Sequence, residues 1–453
     1  MTILGRTAAR ADDDLHKDAR RPLLLAALVC LVSFTAFWIT QRLAGVTLLD
    51  VMVYRAEGWT VRNGGDLYAM QATVSNLPTT YPPFAALLFT PLTLLGVPEM
   101  RTFATGFNLL LVLALVYLAL RLIGIEDRAK RLAPALLIAA GLVWCEPVWT
   151  TLRYGQINLL LAVFVLWDLT RRKENRWAGI GIGLAAAIKL TPALFAVLLA
   201  LAGIVVAVRR VRAAQPWWNP HLRRAATATC TFLAVTVASA VVLPYDSKRF
   251  WTEMVFSASR PGQAEDTANQ SLRGVLARLL GTTDPGLWWV LVAGVVALFG
   301  LAVAVSSLVE GRTAWAVTAC AVTALLISPV SWSHHWVWIV PVLMLLATEA
   351  RGRALKTATA ATALIFYSYS LWWVPHAGTS ATVRPELDQN AGEFLLSAGY
   401  ALAGLGFLAL AALRVRGAAK NAPKVPAQST GPQSTGPQSS GPRSSEPQAV
   451  ANE

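Results

Sequence analysis

Apolar runs of roughly 17 to 25 residues recur along the chain between short polar stretches, and each is long enough to cross a ~30 Å hydrocarbon core as a helix. Hydrocarbon offers no water to backbone amides, so a chain built this way must make its backbone hydrogen bonds inside each span. The fold class that follows is an all-α polytopic membrane protein. Composition agrees: 55% of the 453 residues are hydrophobic and 14% charged, against about 25% charged in soluble domains.

Spans are expected near 22–41, 103–121, 132–150, 156–170, 223–243, 286–308, 313–329, 336–348, 357–374 and 394–413. Two stretches fit poorly. Pro83 to Gly96 is short and reads as re-entrant or oblique, whereas 177–208 is too long for one pass and carries Lys189, Thr191 and Pro192 at its middle, which suggests a helical hairpin. The run from Leu23 to Ile39 follows Arg20, Arg21 and Pro22 without an obvious small-residue cleavage site, so it reads as an uncleaved first helix. Cys30, Cys145, Cys230 and Cys320 lie in or at the end of apolar runs, with no spacing typical of a disulfide or metal site.

The net charge of +14 invites a nucleic-acid reading, but its placement argues otherwise. With the N-terminus inside, the greater part of the 39 Lys and Arg falls on cytoplasmic segments: residues 1–21, Arg121 to Arg131, Arg171 to Arg176, Arg209 to Arg224, Arg312, Arg351 to Lys356 and the C-terminal tail. The positive-inside rule accounts for that asymmetry, and no nucleic-acid partner is needed. Residues 1–21 form a basic cytoplasmic arm, 22–414 the membrane domain, and 415–453 a Pro/Gly/Ser/Gln-rich tail in which Gln428 to Pro432, Gln433 to Pro437 and Gln438 to Pro442 repeat one unit. Such a composition buries too little apolar area to offset the entropy of ordering, so the tail is expected to be disordered.

This topology gathers the unusual polar residues outside, on 42–82, 146–155, 244–285, 330–335 and 375–393. Asp50 follows the first span closely, among Leu48, Leu49, Val51 and Val53. Desolvation at such a place raises a carboxyl's pKa and suits a general base, although a solvated loop acid reads equally well from this residue alone. Glu57 and Asp66 compete for the role, with a turn or cap the simpler reading of Asp66 after two glycines. His334 and His335 sit between Trp332 and Trp336; they suit a phosphate, a sugar, a metal, or only interface anchoring. Asn269, Gln270 and Arg273 combine amides that suit sugar hydroxyls with a guanidinium that suits phosphate. Gln156 and Asn158 enter a helix from outside, and Lys189 adds a cation near the hairpin tip, or merely snorkels. Neither an acidic metal site nor a Gly-rich phosphate loop with Lys and Ser/Thr stands out, which argues against a nucleotide-sugar enzyme and an ATP-driven pump.

Taken in order, Asp50 with Tyr54, Gly65-Asp66-Leu67-Tyr68, Tyr81-Pro82-Pro83, Gly155-Gln156-Ile157-Asn158, Lys189-Leu190-Thr191-Pro192, Asn269-Gln270-Ser271-Leu272-Arg273-Gly274 and Ser331-Trp332-Ser333-His334-His335 resemble glycosyltransferase family 87. These are actinobacterial membrane mannosyltransferases of GT-C architecture. The resemblance implies a plasma-membrane bundle of about 10 to 13 helices with its active site formed by short extracytoplasmic loops. It implies Asp50 as catalytic base, with His335 or His334 in the site. Arg273, Asn269, Gln270, Lys189, Tyr81, Gln156 and Asn158 then bind donor phosphate or sugar. The donor it implies is a polyprenyl phosphate mannose, the acceptor a membrane glycolipid or glycan of phosphatidylinositol mannoside type, and the reaction an inverting α-1,2 transfer that requires neither metal nor cofactor. A polyprenyl-phosphate arabinofuranosyltransferase of the same family is the near alternative, and a lipid or solute transporter the distant one. No internal repeat supports transport. Beyond His376 the resemblance gives nothing.

Overall fold

In the computed structural model, residues 3–172, 174–257, 260–377 and 382–421 are described, with side chains between 21 and 417. Most of the tail, from Ala422, lies outside the described residues.

The chain opens with α1 (Ile3–Leu43), then turns through Gly45 and Leu48 into the short α2 (Leu49–Arg62). A two-residue antiparallel ladder, Gln71–Ala72 with Leu77–Pro78, precedes α3 (Pro83–Phe89), which tightens into a 3-10 turn over Thr90–Leu94. Long α4 (Val97–Leu122) follows. The stretch expected as one span at 132–150 is instead two helices, α5 (Arg128–Leu142) and α6 (Glu146–Tyr154), bent by 80°. Pro147 is the physical reason: it has no N–H to offer the Val143 carbonyl, and its ring would collide with it. α7 (Asn158–Leu169) leads to α8 (Ile180–Ile188) and α9 (Ala193–Arg212). Between these last two, Lys189 is extended and Pro192 restarts the helix, which makes the break expected from the length of that run.

α10 (Pro220–Val242) and α11 (Pro244–Thr252) come next, and then α12 (Leu272–Leu280), α13 (Gly286–Val309) and α14 (Thr313–Ile327). A 3-10 segment, Ser333–Trp338, joins α14 to α15 (Ile339–Glu349), and α16 (Arg353–Tyr367), α17 (Ala391–Ser397) and α18 (Gly399–Asn421) complete the described residues. α16 stops short of the span expected to reach 374, because Tyr369 takes a left-handed conformation (φ 57°). α18 runs on past residue 415, where the tail was expected to begin.

Among the described residues six helices are long and apolar enough to cross a bilayer, or seven if the bent α5–α6 pair is one span. That is fewer than the 10 to 13 implied above, since α7 and α14 are too short to span alone by the same measure. Burial shows which helices face lipid. Only 17% of the apolar window of α1 and of α10 is covered, against 56% for α4. Leu24, Leu31, Val237, Trp288 and Leu298 stand exposed, an arrangement that water would penalise heavily and hydrocarbon does not. The chain is a multi-pass membrane protein with α4 inside the bundle. Close helix contacts use small residues, as at Gly183, where a Cβ would lie 2.5 Å from the Ala228 carbonyl of α10.

Candidate active site

A cavity of about 640 Å³ opens where α2, the α8–α9 break, the end of α14 and the 3-10 segment meet. α2 reaches it because of two local features. Leu48 adopts a left-handed conformation (φ 54°), uncommon for a non-glycine residue, and is held by burial against Val51, Met100 and Ala104. Gly155 ends α6 at φ 70°, and a Cβ there would lie 2.2 Å from Val51 Cγ2, so only glycine lets α2 seat against Gln156.

Asp50, Tyr54 and Glu57 fall at i, i+4 and i+7 on α2 and therefore share one face, and all three line the cavity. The Tyr54 hydroxyl donates to Gln156 Oε1 (2.9 Å), as does the Tyr81 hydroxyl (3.2 Å). With its oxygen taken by two phenols, Gln156 turns its amide nitrogen toward Asp50. α2 lies outside the spans, yet the cavity shields Asp50 from water. Desolvation pushes its carboxyl up to about 6, against the pull of the Gln156 hydrogen bond and the Lys189 charge. A carboxyl in that range is ionised at neutral pH and still basic enough to take a proton.

Facing Asp50, Lys189 Nζ lies 2.9 Å from His335 Nε2 and 3.3 Å from Asn158 Oδ1, over the Tyr81 ring. Trp332 N–H donates to His335 Nδ1 (3.2 Å), which places the proton of a neutral imidazole on Nε2. His335 Nε2–H therefore donates to the Lys189 amine, which in turn donates to Asn158 Oδ1. An entering anion takes the place of that bond, accepting from the imidazole N–H and from Lys189 as an ammonium.

The two histidines part company. His335 lines the cavity, whereas His334 is buried behind it, its ring edge-on to Tyr154 and its carbonyl accepting from Thr151 Oγ1 (2.8 Å) and Asn158 Nδ2 (3.1 Å). Asn158 therefore braces the histidine loop and touches Lys189 from behind.

Asn269, Gln270 and Arg273 lie off the cavity wall. Asn269 is fully buried, its Nδ2 donating to the Ala264 carbonyl and its Oδ1 accepting from the Ser271 and Ser331 amides. Gln270 donates to the Thr267 and Ser397 carbonyls and accepts from Tyr400 N–H. Arg273 sits over the Trp289 ring, 4.0 Å from Asp284. This motif is scaffold: it pins the long loop before α12 to the histidine loop and to α18.

Residues 80–329 match the sequence profile of glycosyltransferase family 87. A polyprenol-phosphate-mannose-dependent alpha-(1-2)-phosphatidylinositol mannoside mannosyltransferase from Mycolicibacterium smegmatis is 33% identical over 72% of this chain and 76% of its own. A protein of the same description from Mycobacterium tuberculosis is 31% identical over 80% of this chain and 88% of its own. The corresponding phosphatidylinositol pentamannoside mannosyltransferase of that organism is 32% identical, over 76% and 77% respectively. The chain belongs to glycosyltransferase family 87. Within it, Tyr81, Gln156 and Lys189 fall inside the matched segment, and Asp50 and His335 flank it.

Two residues that motif reading passed over bear on this candidate site, Arg260 on its wall and Glu146 behind the histidine loop. Arg260 lines the cavity, anchored by Nε to the Thr79 carbonyl (2.7 Å) and by Nη2 to the Tyr68 carbonyl (2.8 Å). Nothing in the sequence marks it out from other loop arginines. Glu146 is fully buried and accepts from Thr150, Ser333, Trp372 and Tyr400, which ties the histidine loop to α6 and α18. A carboxylate at the end of an apolar run was its available signal.

Proposed function

We propose that this chain transfers mannose from a polyprenyl phosphate mannose to a hydroxyl of a phosphatidylinositol mannoside-type glycolipid. The observation that carries this reading is the opposition, across one cavity, of Asp50 to the Lys189–His335 pair. Asp50 removes the acceptor proton as that oxygen attacks the anomeric carbon from the face opposite the phosphate. The C1–O bond breaks, the β-linked donor becomes an α-linked product, and polyprenyl phosphate leaves as a dianion. Lys189 and His335 donate to the oxygens on which that charge grows, an effect magnified where water is scarce. The leaving group needs no proton, so one carboxylate suffices. Leu194, Val197, Ala324 and Ile327, on α9 and α14, give the cavity an apolar side suited to an isoprenoid.

The same reading places the cavity extracytoplasmically and both termini in the cytoplasm, in keeping with the charge distribution. It takes the shorter helices as parts of a GT-C bundle of residues 22–414. The names of the relatives support mannose as the sugar.

The test is transfer by the purified full-length protein from polyprenyl phosphate mannose, with product linkage read by NMR. Asp50→Asn is expected to lower kcat by about 10³-fold, within the range for loss of a general base, and to leave Tm unchanged. Wild-type turnover by Asp50→Asn would sink the mechanism.

A further inference from the structure

The face of α2 that carries Asp50 continues for two more turns, and the chemistry above does not use its far end. Glu57 stands seven residues on, about 10 Å along the axis at 1.5 Å per residue. It lines the same cavity, is 1% exposed, and its Oε2 has no hydrogen-bond partner among the described residues. Glu146, buried off the cavity, has its carboxylate oxygens filled by four donors. Leaving one unfilled costs free energy unless something else pairs with it.

The surroundings narrow what that partner is. The Thr79 hydroxyl pulls the Glu57 carboxyl down as a hydrogen-bonding neighbour without filling Oε2, and the Thr79 carbonyl holds Arg260 Nε. The Arg260 guanidinium lines the cavity 5.5 Å from the Tyr68 ring, so an acid and a guanidinium flank Thr79 in one corner. Burial pushes the Glu57 carboxyl up to about 8, which leaves it protonated at pH 7 and able both to donate and to accept. An uncharged donor–acceptor beside the Nη1 donors that Arg260 has left after Nε and Nη2 are bound to carbonyls, with Phe250 supplying an apolar wall, matches the hydroxyl-rich edge and apolar face of a sugar ring. This corner lies at the opposite end of the α2 face from the Lys189–His335 pair. The donor's phosphate and reacting carbon are assigned to the other end, so this corner is assigned to a sugar of the acceptor.

Resting on the assignment of Asp50 as base, we propose that Glu57 and Arg260 form a second sugar subsite. It holds the mannose next to the acceptor's reacting unit and makes the enzyme select oligosaccharide-bearing acceptors over single-sugar ones.

The experiment compares two alkyl glycosides as acceptors, a monomannoside and an α-linked dimannoside, with polyprenyl phosphate mannose as donor and full-length protein. Wild type is expected to favour the dimannoside in kcat/KM. Glu57→Ala should cut that preference at least tenfold, through a higher KM for the dimannoside. Glu57→Gln, whose amide also donates and accepts, should keep most of it, and Arg260→Ala should behave like Glu57→Ala and serve if the latter does not fold. Equal losses with both acceptors, an unchanged preference, a raised donor KM, or no preference in wild type would each overturn the subsite. Asp50→Asn, run alongside, separates the two claims. Full activity there removes the base, whereas an intact preference in Glu57→Ala removes only the subsite.

Discussion

Two regions of this protein carry polar groups of similar promise, the α2 face with Asp50, Tyr54 and Glu57, and the 265–274 segment with Asn269, Gln270 and Arg273. The fold treats them in opposite ways. In the loop every amide of Asn269 and Gln270 is taken by backbone, and buried Arg278 adds bonds to the Asp266, Asn269 and Ser397 carbonyls. On α2 a helix satisfies its own backbone, so its side chains are released into the cavity. Between these two regions the difference is backbone pairing: α2 pairs its own and frees its side chains, whereas the irregular stretch before α12 uses Asn269 and Gln270 to pair backbone groups.

The largest effect after that of Asp50→Asn should come from the wall opposite α2. Lys189→Met removes one of two donors to the departing phosphate and should reduce kcat by about 10² to 10³-fold, the usual toll for an oxyanion donor. Single-turnover rates with polyprenyl phosphate mannose check this, and a loss below about tenfold would detach Lys189 from the leaving group.

A smaller effect probes the α2 face by pH. Asp50 must be ionised to act, and its carboxyl titrates near 6. Below that pH, kcat/KM should fall about tenfold per unit, and above it the profile should flatten. The Lys189 charge pulls the Asp50 carboxyl down, so in Lys189→Met the midpoint should move to higher pH. A midpoint that stays in place would show that the two do not share a cavity electrically.

Much of this was legible in the sequence, for identifiable reasons. The α8–α9 break followed from a run too long for one pass with Pro192 inside it, and Asp50 stood out as an acid just past the first span. The 80° bend between α5 and α6 was missed because hydropathy averages over Pro147. The fate of Asn269 and Gln270 was not readable, since an amide suits a sugar hydroxyl and a backbone carbonyl equally, and only the folded loop decides which one it meets. Arg260 was invisible for a related reason: its place in the cavity is set by the Thr79 and Tyr68 carbonyls, nearly two hundred residues away.

The smallest effect on rate belongs to the loop. Gln270→Ala removes two donated bonds and one accepted one at a fully buried position, and strands the Tyr400 N–H and the Thr267 carbonyl. Each buried group left unpaired costs roughly 1–3 kcal/mol, so Tm in detergent should fall clearly. Turnover per folded molecule, measured well below that Tm, should stay within about threefold of wild type, because Gln270 touches neither Asp50 nor the Lys189–His335 pair. The Ser397 carbonyl keeps its bond from Arg278, which limits the damage to α18. If Gln270→Ala instead kept its Tm and lost activity, the loop would be a sugar-binding surface after all, and its contrast with α2 would fail.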